Sequence, residues 1–217
     1  PKSNANYAWI LNMVSKLSVN GVAGFILANG ALSGGGEEYK IRKKLIENNL
    51  IEAIIILPRS MFYTTDISVT LWLLNRNKTD QERIIGEKTF KYRNREEEIL
   101  FMDLRQIGIP FEKKYIQFSE EQVDRIANSF HQWQIKDGAY EDEPEFSYAA
   151  KKEELIKKDY SLVPSKYIEF INRDENIDFG EKMSGLQSEL SDLLSQQVKS
   201  NTQLQEVFKN LGYEIKL

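Results

Sequence analysis

Short apolar runs separated by polar turns dominate the early part of the chain. Residues 22–27 form one such run, and a glycine triplet at 34–36 follows it. Residues 51–57 and 67–74 are predominantly apolar and rich in β-branched side chains, which is typical of strands covered on both faces. The stretch between them, 58–66, is too short for a crossover helix. The pattern therefore predicts an antiparallel hairpin at the edge of an otherwise parallel sheet.

Helical spacing of apolar residues alternates with these runs. It predicts helices over 6–17 and 37–49. A third helix is predicted to begin at Ser119, because a serine followed by Gln122 three residues later matches a capping box. His131 lies off the apolar stripe of this helix, so we expect it on the surface. Strands and helices in alternation indicate an α/β fold.

The middle of the chain is more polar. Residues 77–94 predict an exposed loop or a short hairpin around Ile84 and Ile85. Residues 98–104 predict a further strand, and residues 107–110 predict a turn. The sheet is therefore expected to resume after a polar insertion.

An acidic stretch with a proline at 141–145 is the predicted domain boundary. It divides the chain into a sheet-forming part, 1–140, and a helical part, 141–217. At the start of the second part, residues 146–158 predict a short helix.

The tail between about 176 and 212 carries apolar side chains at heptad spacing. Five residues share one heptad position, namely Met183, Leu190, Gln197, Leu204 and Leu211. Four residues share the other, namely Leu186, Leu193, Ser200 and Val207. The pattern predicts a coiled-coil seam that polar residues interrupt in its middle. One helix cannot bury its own stripe, so we expect a partner helix, either 119–133 of this chain or a helix of another subunit.

Composition restricts how the protein can bind nucleic acid. The chain has 217 residues and a net charge of -4. This charge argues against binding DNA through bulk electrostatics, so any DNA contact must be local or come from other parts of an assembly. Basic residues cluster at 40–44, 88–95 and 151–158, but acidic residues accompany each cluster. Solvated faces are the simpler interpretation of these clusters.

Metal sites and membrane spans are not expected. The chain has no cysteine, and His131 is its single histidine, so disulfides, thiolate metal sites and histidine-rich metal centres are excluded. We therefore expect no metal. Apolar runs long enough to cross a bilayer are also absent from the sequence. We predict a cytoplasmic protein without membrane contact.

Four segments resemble a known family. They read NYAWILNMVSKL from Asn6, GVAGFILANGALS from Gly21, EYKIRKKLIE from Glu38 and IIILPRSMFYTTDISVTLWLLNR from Ile54. Together they resemble the modification (M) subunit of type I restriction-modification systems, an adenine-N6 DNA methyltransferase. The similarity is close over residues 6–78 and loose beyond them.

The resemblance implies a fold. The chain would form the C-terminal half of the doubly wound sheet of an AdoMet-dependent methyltransferase, followed by a helical region with a long coiled-coil-like helix. Residues 22–27 would then be an exposed edge strand that pairs with the missing half or with another copy of the chain.

The resemblance also implies that the catalytic elements lie elsewhere. The family's Asn-Pro-Pro-aromatic tetrapeptide, which would hydrogen-bond the adenine amino group, is absent, and so is its glycine-rich AdoMet turn. The triplet at 34–36 stands in the wrong place and precedes Glu37 and Glu38, which would repel a phosphate. The chain begins at Pro1, without an initiator methionine. We therefore expect a C-terminal piece with no catalytic or cofactor-binding residue of its own, AdoMet being bound by the missing N-terminal half.

The stretch 58–66 carries the candidate site residues. In the family, a loop in this place lies beside the flipped adenine, so the resemblance makes Phe62 and Tyr63 the candidate contacts to the target base. Alternatively, both rings plug the end of the sheet. Arg59 is a candidate phosphate contact or an ordinary solvated arginine. Asn29 either lines the pocket or completes a turn.

The family implies a function for the intact protein. It would methylate adenine N6 in a specific DNA sequence with AdoMet, and its partners would be DNA, a specificity (S) subunit, a second M subunit and a restriction (R) subunit. The fragment alone would be inactive. Two alternatives remain: a helical module that docks to the S subunit without a catalytic role, or a doubly wound domain that binds another nucleotide. The second lacks a phosphate-binding glycine loop after its first strand.

Overall fold

A computed structural model describes residues 5–171, 178–213 and 215, apart from the side chain of Ile85. The helices are α1 (Asn6–Lys16), α2 (Gly36–Glu47), α3 (Glu120–Gln134), α4 (Lys152–Lys157) and α5 (Phe179–Asn210). The strands are β1 (Val22–Ala28), β2 (Ile51–Ile56), β3 (Val69–Asn75), β4 (Gln81–Ile85), β5 (Lys88–Tyr92), β6 (Glu98–Asp103), β7 (Ile109–Phe111), β8 (Tyr115–Gln117) and β9 (Ser147–Lys151). Short 3₁₀ turns occupy Asn29–Leu32 and Pro164–Lys166.

A five-stranded sheet in the order β1-β3-β2-β6-β9 forms the centre of the fold. β3 runs antiparallel to both of its neighbours, β1 and β2. β2 runs parallel to β6, and β9 runs antiparallel to β6 at the far side. The pairing of β2 with β3 confirms the predicted hairpin, and the mixed sheet with its helices confirms the α/β class.

The hairpin does not lie at the edge of the sheet, so that part of the prediction was wrong. β1 pairs with β3 along its whole length, and β6 pairs with the free side of β2. Both covering strands come from outside the hairpin, which is why its local pattern did not reveal them. The edges are instead β1 and β9. Val22 and Ile26, which share one face of β1, are 53% and 46% exposed, so this face of the edge strand is uncovered.

Alternate residues of the central strands pack on opposite faces of the sheet. Ile54, Trp72 and Phe101 lie on the face that α1 and α2 cover. There the ring of Tyr7 meets Trp72 edge-on, with 6.3 Å between ring centroids. On the other face, α3 contributes the fully buried Trp133. Cover on both faces explains why most residues of β2 and β3 are apolar.

Three local predictions are confirmed. At the start of α3, the Ser119 hydroxyl accepts a hydrogen bond from the Gln122 backbone N–H at 3.2 Å, and the Gln122 side chain accepts one from the Ser119 N–H at 3.0 Å. His131 is exposed. β4 and β5 form the hairpin expected in the polar insertion.

A buried ion pair joins β2 to the segment before β6. Glu52 and Arg95 are each 1% exposed. The Glu52 carboxylate accepts hydrogen bonds from Arg95 Nε and Gln134 Nε2, each at 2.9 Å, and from Asn75 Nδ2 at 3.2 Å. Arg95 belongs to the basic cluster at 88–95, which the sequence suggested was solvated. That interpretation was wrong for Arg95, because its guanidinium neutralises a carboxylate inside the fold.

Arg42 is a second buried arginine from a supposedly solvated cluster. Its Nε donates to the Tyr160 carbonyl at 2.8 Å, and its Nη1 donates to the Gly34 carbonyl at 2.7 Å. The first bond ties α2 to the chain that follows α4, and the second ties it to the loop that precedes α2. Nearby, the Tyr167 ring stacks on Phe101, with 4.3 Å between centroids. The region after α4 is therefore part of the core.

The acidic stretch at 141–145 does not end the sheet. β9 follows it and pairs with β6, although residues 146–158 were predicted to be helical. Within residues 146–158, only α4 is an α-helix. The alanines of β9 favour a helix by local propensity, but pairing with a buried strand outweighs that small preference. The first compact unit extends to Ile171.

The second compact unit contains α5, which the Asp178 side chain caps by accepting a hydrogen bond from the Glu181 N–H at 3.1 Å. None of the described residues of α5 is buried. The heptad leucines Leu190 and Leu193 are 57% and 54% exposed. Coiled-coil pairing therefore stays a prediction. Across the described part of the chain, no helix has the length and apolar character needed to span a bilayer.

Lys78 gives the fold a pH dependence that can be measured. Burial lowers its pKa to about 8, and its Nζ donates to the backbone oxygens of Ile51, at 2.9 Å, and Glu98. The folded pKa lies below that of the unfolded chain, so folding disfavours the protonated amine and this penalty shrinks as the pH rises. We expect the Lys78 contribution to the free energy of unfolding to increase by about 1 kcal/mol from pH 7 to pH 9.

Urea unfolding at both pH values measures this increase. The increase in the free energy of unfolding that Lys78 contributes should disappear in Lys78→Met. It should persist in Lys88→Met, which changes an exposed lysine. An equal increase in wild type and Lys78→Met would contradict the assignment.

Candidate functional site

The carboxyl ends of β1, β2 and β6 lie together, because these three strands run in the same direction. Open α/β sheets bind ligands in the crevice beside this edge. The 3₁₀ turn Asn29–Leu32 leaves the edge after β1, and residues 57–68 leave it after β2. We call residues 57–68 the edge loop.

The edge loop is held in shape around the carboxylate of Asp66. Arg59 Nη2 donates to Asp66 Oδ2 at 3.0 Å, and the Ser60 hydroxyl donates to Asp66 Oδ1. The hydrogen bond from Ser60 and, to a smaller extent, the one from Arg59 keep the pKa of Asp66 below its ordinary value. A further backbone bond, from the Thr65 N–H to the Phe62 carbonyl at 3.2 Å, closes the tip. The loop therefore presents its tip residues in one defined arrangement.

The two aromatic residues at the tip have different environments. Phe62 is half-buried and packs against the apolar cluster that contains Leu57 and Trp133. Tyr63 is 71% exposed. Phe62 therefore packs on the core at this end of the sheet, whereas Tyr63 is exposed.

A cavity of about 410 Å³ opens beside these rings. Its wall consists of Ser60, Phe62, Tyr63, Thr64, Thr65, Asp66, Lys114 and Tyr115. The edge loop supplies the first six, and the chain that follows β6 supplies the last two. Sequence reasoning missed Lys114 and Tyr115, because residues 107–117 lacked an apolar pattern strong enough to predict the short strands β7 and β8.

The other two candidate residues are engaged within the fold. Arg59 forms the ion pair with Asp66, in which both side chains are 70% exposed. Asn29 Oδ1 accepts a hydrogen bond from the Thr70 hydroxyl at 2.5 Å. Neither residue is among those that line the aromatic cavity.

A second cavity, of about 330 Å³, lies between α3 and residues 139–146. Its lining includes three consecutive acidic residues, Glu141, Asp142 and Glu143. Such a surface repels phosphate, whereas the first cavity combines aromatic rings with a lysine. We therefore take the aromatic cavity as the candidate site.

The carboxyl edge offers little for a nucleotide cofactor or a metal. The Asp103 carboxylate, at the end of β6, accepts hydrogen bonds from Arg105 Nη2 at 2.6 Å and from Arg105 Nε at 2.9 Å. Both of its oxygens are therefore already bound within the chain. The Gly34 carbonyl is bound by Arg42, and α2 begins with Glu37 and Glu38. These groups do not fit AdoMet. No cluster of three or more potential metal ligands occurs in the ranges that the structure describes.

Comparison with known proteins identifies relatives along the whole chain. Residues 1–176 match the family described as N-6 DNA Methylase. The HindI methylase subunit of a type I restriction enzyme from Haemophilus influenzae is 34% identical over 216 residues, which cover 99% of this chain and 45% of that protein. The MjaIX methylase subunit from Methanocaldococcus jannaschii is 32% identical, over 98% of this chain and 36% of that protein. The chain thus spans less than half the length of these curated relatives.

Solved structures share the fold. The methyltransferase subunit of a type I restriction-modification system from Streptococcus thermophilus superposes with a TM-score of 0.64 at 27% identity, covering 78% of this chain and 31% of that one. The EcoKI M protein gives a TM-score of 0.55 at 14% identity, covering 90% of this chain and 44% of that one. The match over residues 1–176 includes the sheet and the edge loop. The chain therefore belongs to the N-6 DNA methylase family.

Proposed function

We propose that this chain is the C-terminal part of the modification subunit of a type I restriction-modification enzyme, and that the intact subunit transfers a methyl group from AdoMet to adenine N6. The observation that carries the proposal is the aromatic cavity at the carboxyl edge of the sheet in a chain of the N-6 DNA methylase family. The relatives named above, which are methylase subunits of type I restriction enzymes, support the same assignment.

The chain's own contribution is to hold the target base. An enzyme that modifies a base of duplex DNA extrudes it and holds it by stacking and edge contacts. Tyr63 has the exposed ring that stacking requires, and Phe62 forms the floor on which the edge loop rests. Because Ser60 and Arg59 fix Asp66, the loop needs little rearrangement when a base enters.

The catalytic tetrapeptide and the AdoMet site belong, in this proposal, to residues outside the chain. AdoMet supplies the methyl group when it is bound there. The length of the chain agrees with this proposal, because the chain covers at most 45% of the length of the curated relatives named above. It also means that the 217 residues alone have no methyltransferase activity.

The second compact unit supports an assembly role. α5 exposes a stripe of leucines that a single helix leaves unburied. We propose that it packs against helices of the S subunit, which selects the DNA sequence, in a complex with a second M subunit and an R subunit. If the methylase assignment fails, this stripe favours the other candidate function, an interaction module without a catalytic role.

The primary test uses the full-length gene product together with its S subunit. With labelled AdoMet and mixed-sequence duplex DNA, we expect label in N6-methyladenine, because the chain belongs to the N-6 DNA methylase family. The 217-residue chain alone should transfer no label. An absence of transfer by the complete complex, or label on cytosine, would contradict the proposal.

Substitutions in the edge loop separate a base contact from packing. Loss of a stacking ring costs about 1–3 kcal/mol, so Tyr63→Ala should lower the methylation rate roughly 5- to 150-fold. Tyr63 is 71% exposed and its ring contacts Tyr115 edge-on, with 4.8 Å between ring centroids, so its loss should change the free energy of unfolding by no more than about 1.5 kcal/mol. Phe62→Ala should reduce stability as well as rate, since Phe62 packs on the core.

Ile67→Ala is the matched control, because Ile67 is an exposed apolar residue of the same loop, 57% accessible, that does not line the cavity. Its rate and stability should equal those of wild type. If Tyr63→Ala methylates DNA at the wild-type rate, the ring is a surface residue and the site assignment is wrong.

Introducing negative charge into the apolar stripe of α5 tests its role in assembly. Leu190→Asp combined with Leu193→Asp should abolish assembly with the S subunit, because two carboxylates cannot enter an apolar seam. Ser191→Asp combined with Ser195→Asp adds the same charge on the outer face and should leave assembly intact. Size-exclusion chromatography with light scattering distinguishes the species. Equal assembly of both double variants would exclude the seam as the contact surface.

A further inference from the structure

The hairpin formed by β7 and β8 is a feature that the family assignment leaves without a role. Its strands pair from Ile109 with Gln117 to Phe111 with Tyr115. The turn between them places Glu112 at a positive φ of 54° and exposes Lys113 and Lys114. The hairpin is short and carries only partly buried or exposed residues, so core packing does not explain it.

The hairpin is joined to the edge loop by two contacts. The backbone N–H of Ile116 donates to the Ser60 carbonyl at 3.0 Å. The ring of Tyr115 meets that of Tyr63 edge-on, with centroids 4.8 Å apart and planes at 77°. An edge-to-face pair of this geometry is worth about 0.5–1.5 kcal/mol beyond burial. Tyr63 is therefore exposed on one side and braced on the other.

The charges around the cavity are not balanced. Arg59 and Asp66 neutralise each other. Lys114 lines the cavity with its Nζ 5.1 Å from the centroid of Tyr115. Its charge helps to lower the pKa of Asp66, which already pairs with Arg59, but Lys114 forms no direct ion pair with a residue that the structure describes. In a chain with a net charge of -4, this leaves one cation at the mouth of an aromatic cavity. An ammonium beside stacking rings suits a nucleotide, which carries a phosphate next to its base.

We propose that the β7–β8 hairpin is the second wall of the base pocket, in which Lys114 binds a phosphate that flanks the extruded nucleotide and Tyr115 is a positioning residue for Tyr63. The proposal rests on the proposed function. It adds that the pocket is built from two chain segments, so that the segment after β6 takes part in DNA binding.

The test uses the full-length protein with its S subunit. For Lys114, the salt dependence of binding to mixed-sequence duplex DNA is measured for wild type, Lys114→Gln and Lys113→Gln. Losing one phosphate contact reduces the slope of log K against log salt by about 1. We expect this reduction in Lys114→Gln, and a wild-type slope in Lys113→Gln, which removes a neighbouring charge that does not line the cavity.

For Tyr115, the readout is base position. A duplex with the sequence that the complex methylates carries 2-aminopurine at the target, and its fluorescence rises when the base leaves the stack. Tyr115→Leu should lower this rise and reduce kcat by up to about tenfold, the equivalent of the edge-to-face pair. Tyr115→Phe keeps the ring and should restore both. A thermal melt of each variant excludes simple unfolding.

The outcomes separate the two proposals. Failure of the wild-type complex to methylate DNA overturns the proposed function, and the salt slope still decides the role of Lys114. Methylation by wild type, with an unchanged slope in Lys114→Gln and unchanged fluorescence in Tyr115→Leu, overturns the hairpin's role alone.

Discussion

The fold depends on one strand that runs against both of its neighbours. β3 pairs along its length with β1 on one side and β2 on the other, so its central residue Trp72 is fully buried. To form these pairs, the chain must reverse direction immediately after β2, at the carboxyl edge of the parallel strands. The edge loop is therefore placed where α/β sheets bind ligands. A crossover helix in its place would carry the chain away from this edge and leave no loop to hold an aromatic residue there.

Charge burial holds the rest of the structure around that sheet. Glu52 and Arg95 would each be costly to bury alone, but together with Gln134 and Asn75 they satisfy one another. Arg42 similarly connects α2 to the segment after α4 through the carbonyl of Tyr160. Both arginines joined basic clusters in the sequence, and neither is available to DNA. This leaves fewer exposed cations than the sequence suggested, which strengthens the argument that any DNA contact made by this chain is local.

The elements that the sequence predicted correctly are those defined by neighbouring residues. The β2–β3 hairpin, the capping box of α3 and the strand β6 all follow from patterns in one continuous stretch of the chain. The position of the hairpin within the sheet, the pairing of β9 and the burial of Arg95 depend on partners far along the chain. For the site, the resemblance pointed to Phe62 and Tyr63 but did not distinguish them. Burial distinguishes them, because Phe62 packs on the core and Tyr63 stays exposed.

An exposed tyrosine has an energetic cost that bears on its role. Tyr63 leaves most of its ring in water, where burying a ring of that size would be favourable by about 1.5–3 kcal/mol. The fold prevents its collapse, since Phe62 already fills the adjacent apolar site and the Asp66 interactions fix the loop. Tyr115 holds the ring from the side without covering it. A surface residue selected only for solubility needs no such support. A ring kept accessible in one orientation, beside a lysine that forms no direct ion pair among the described residues, is what stacking on a nucleotide requires.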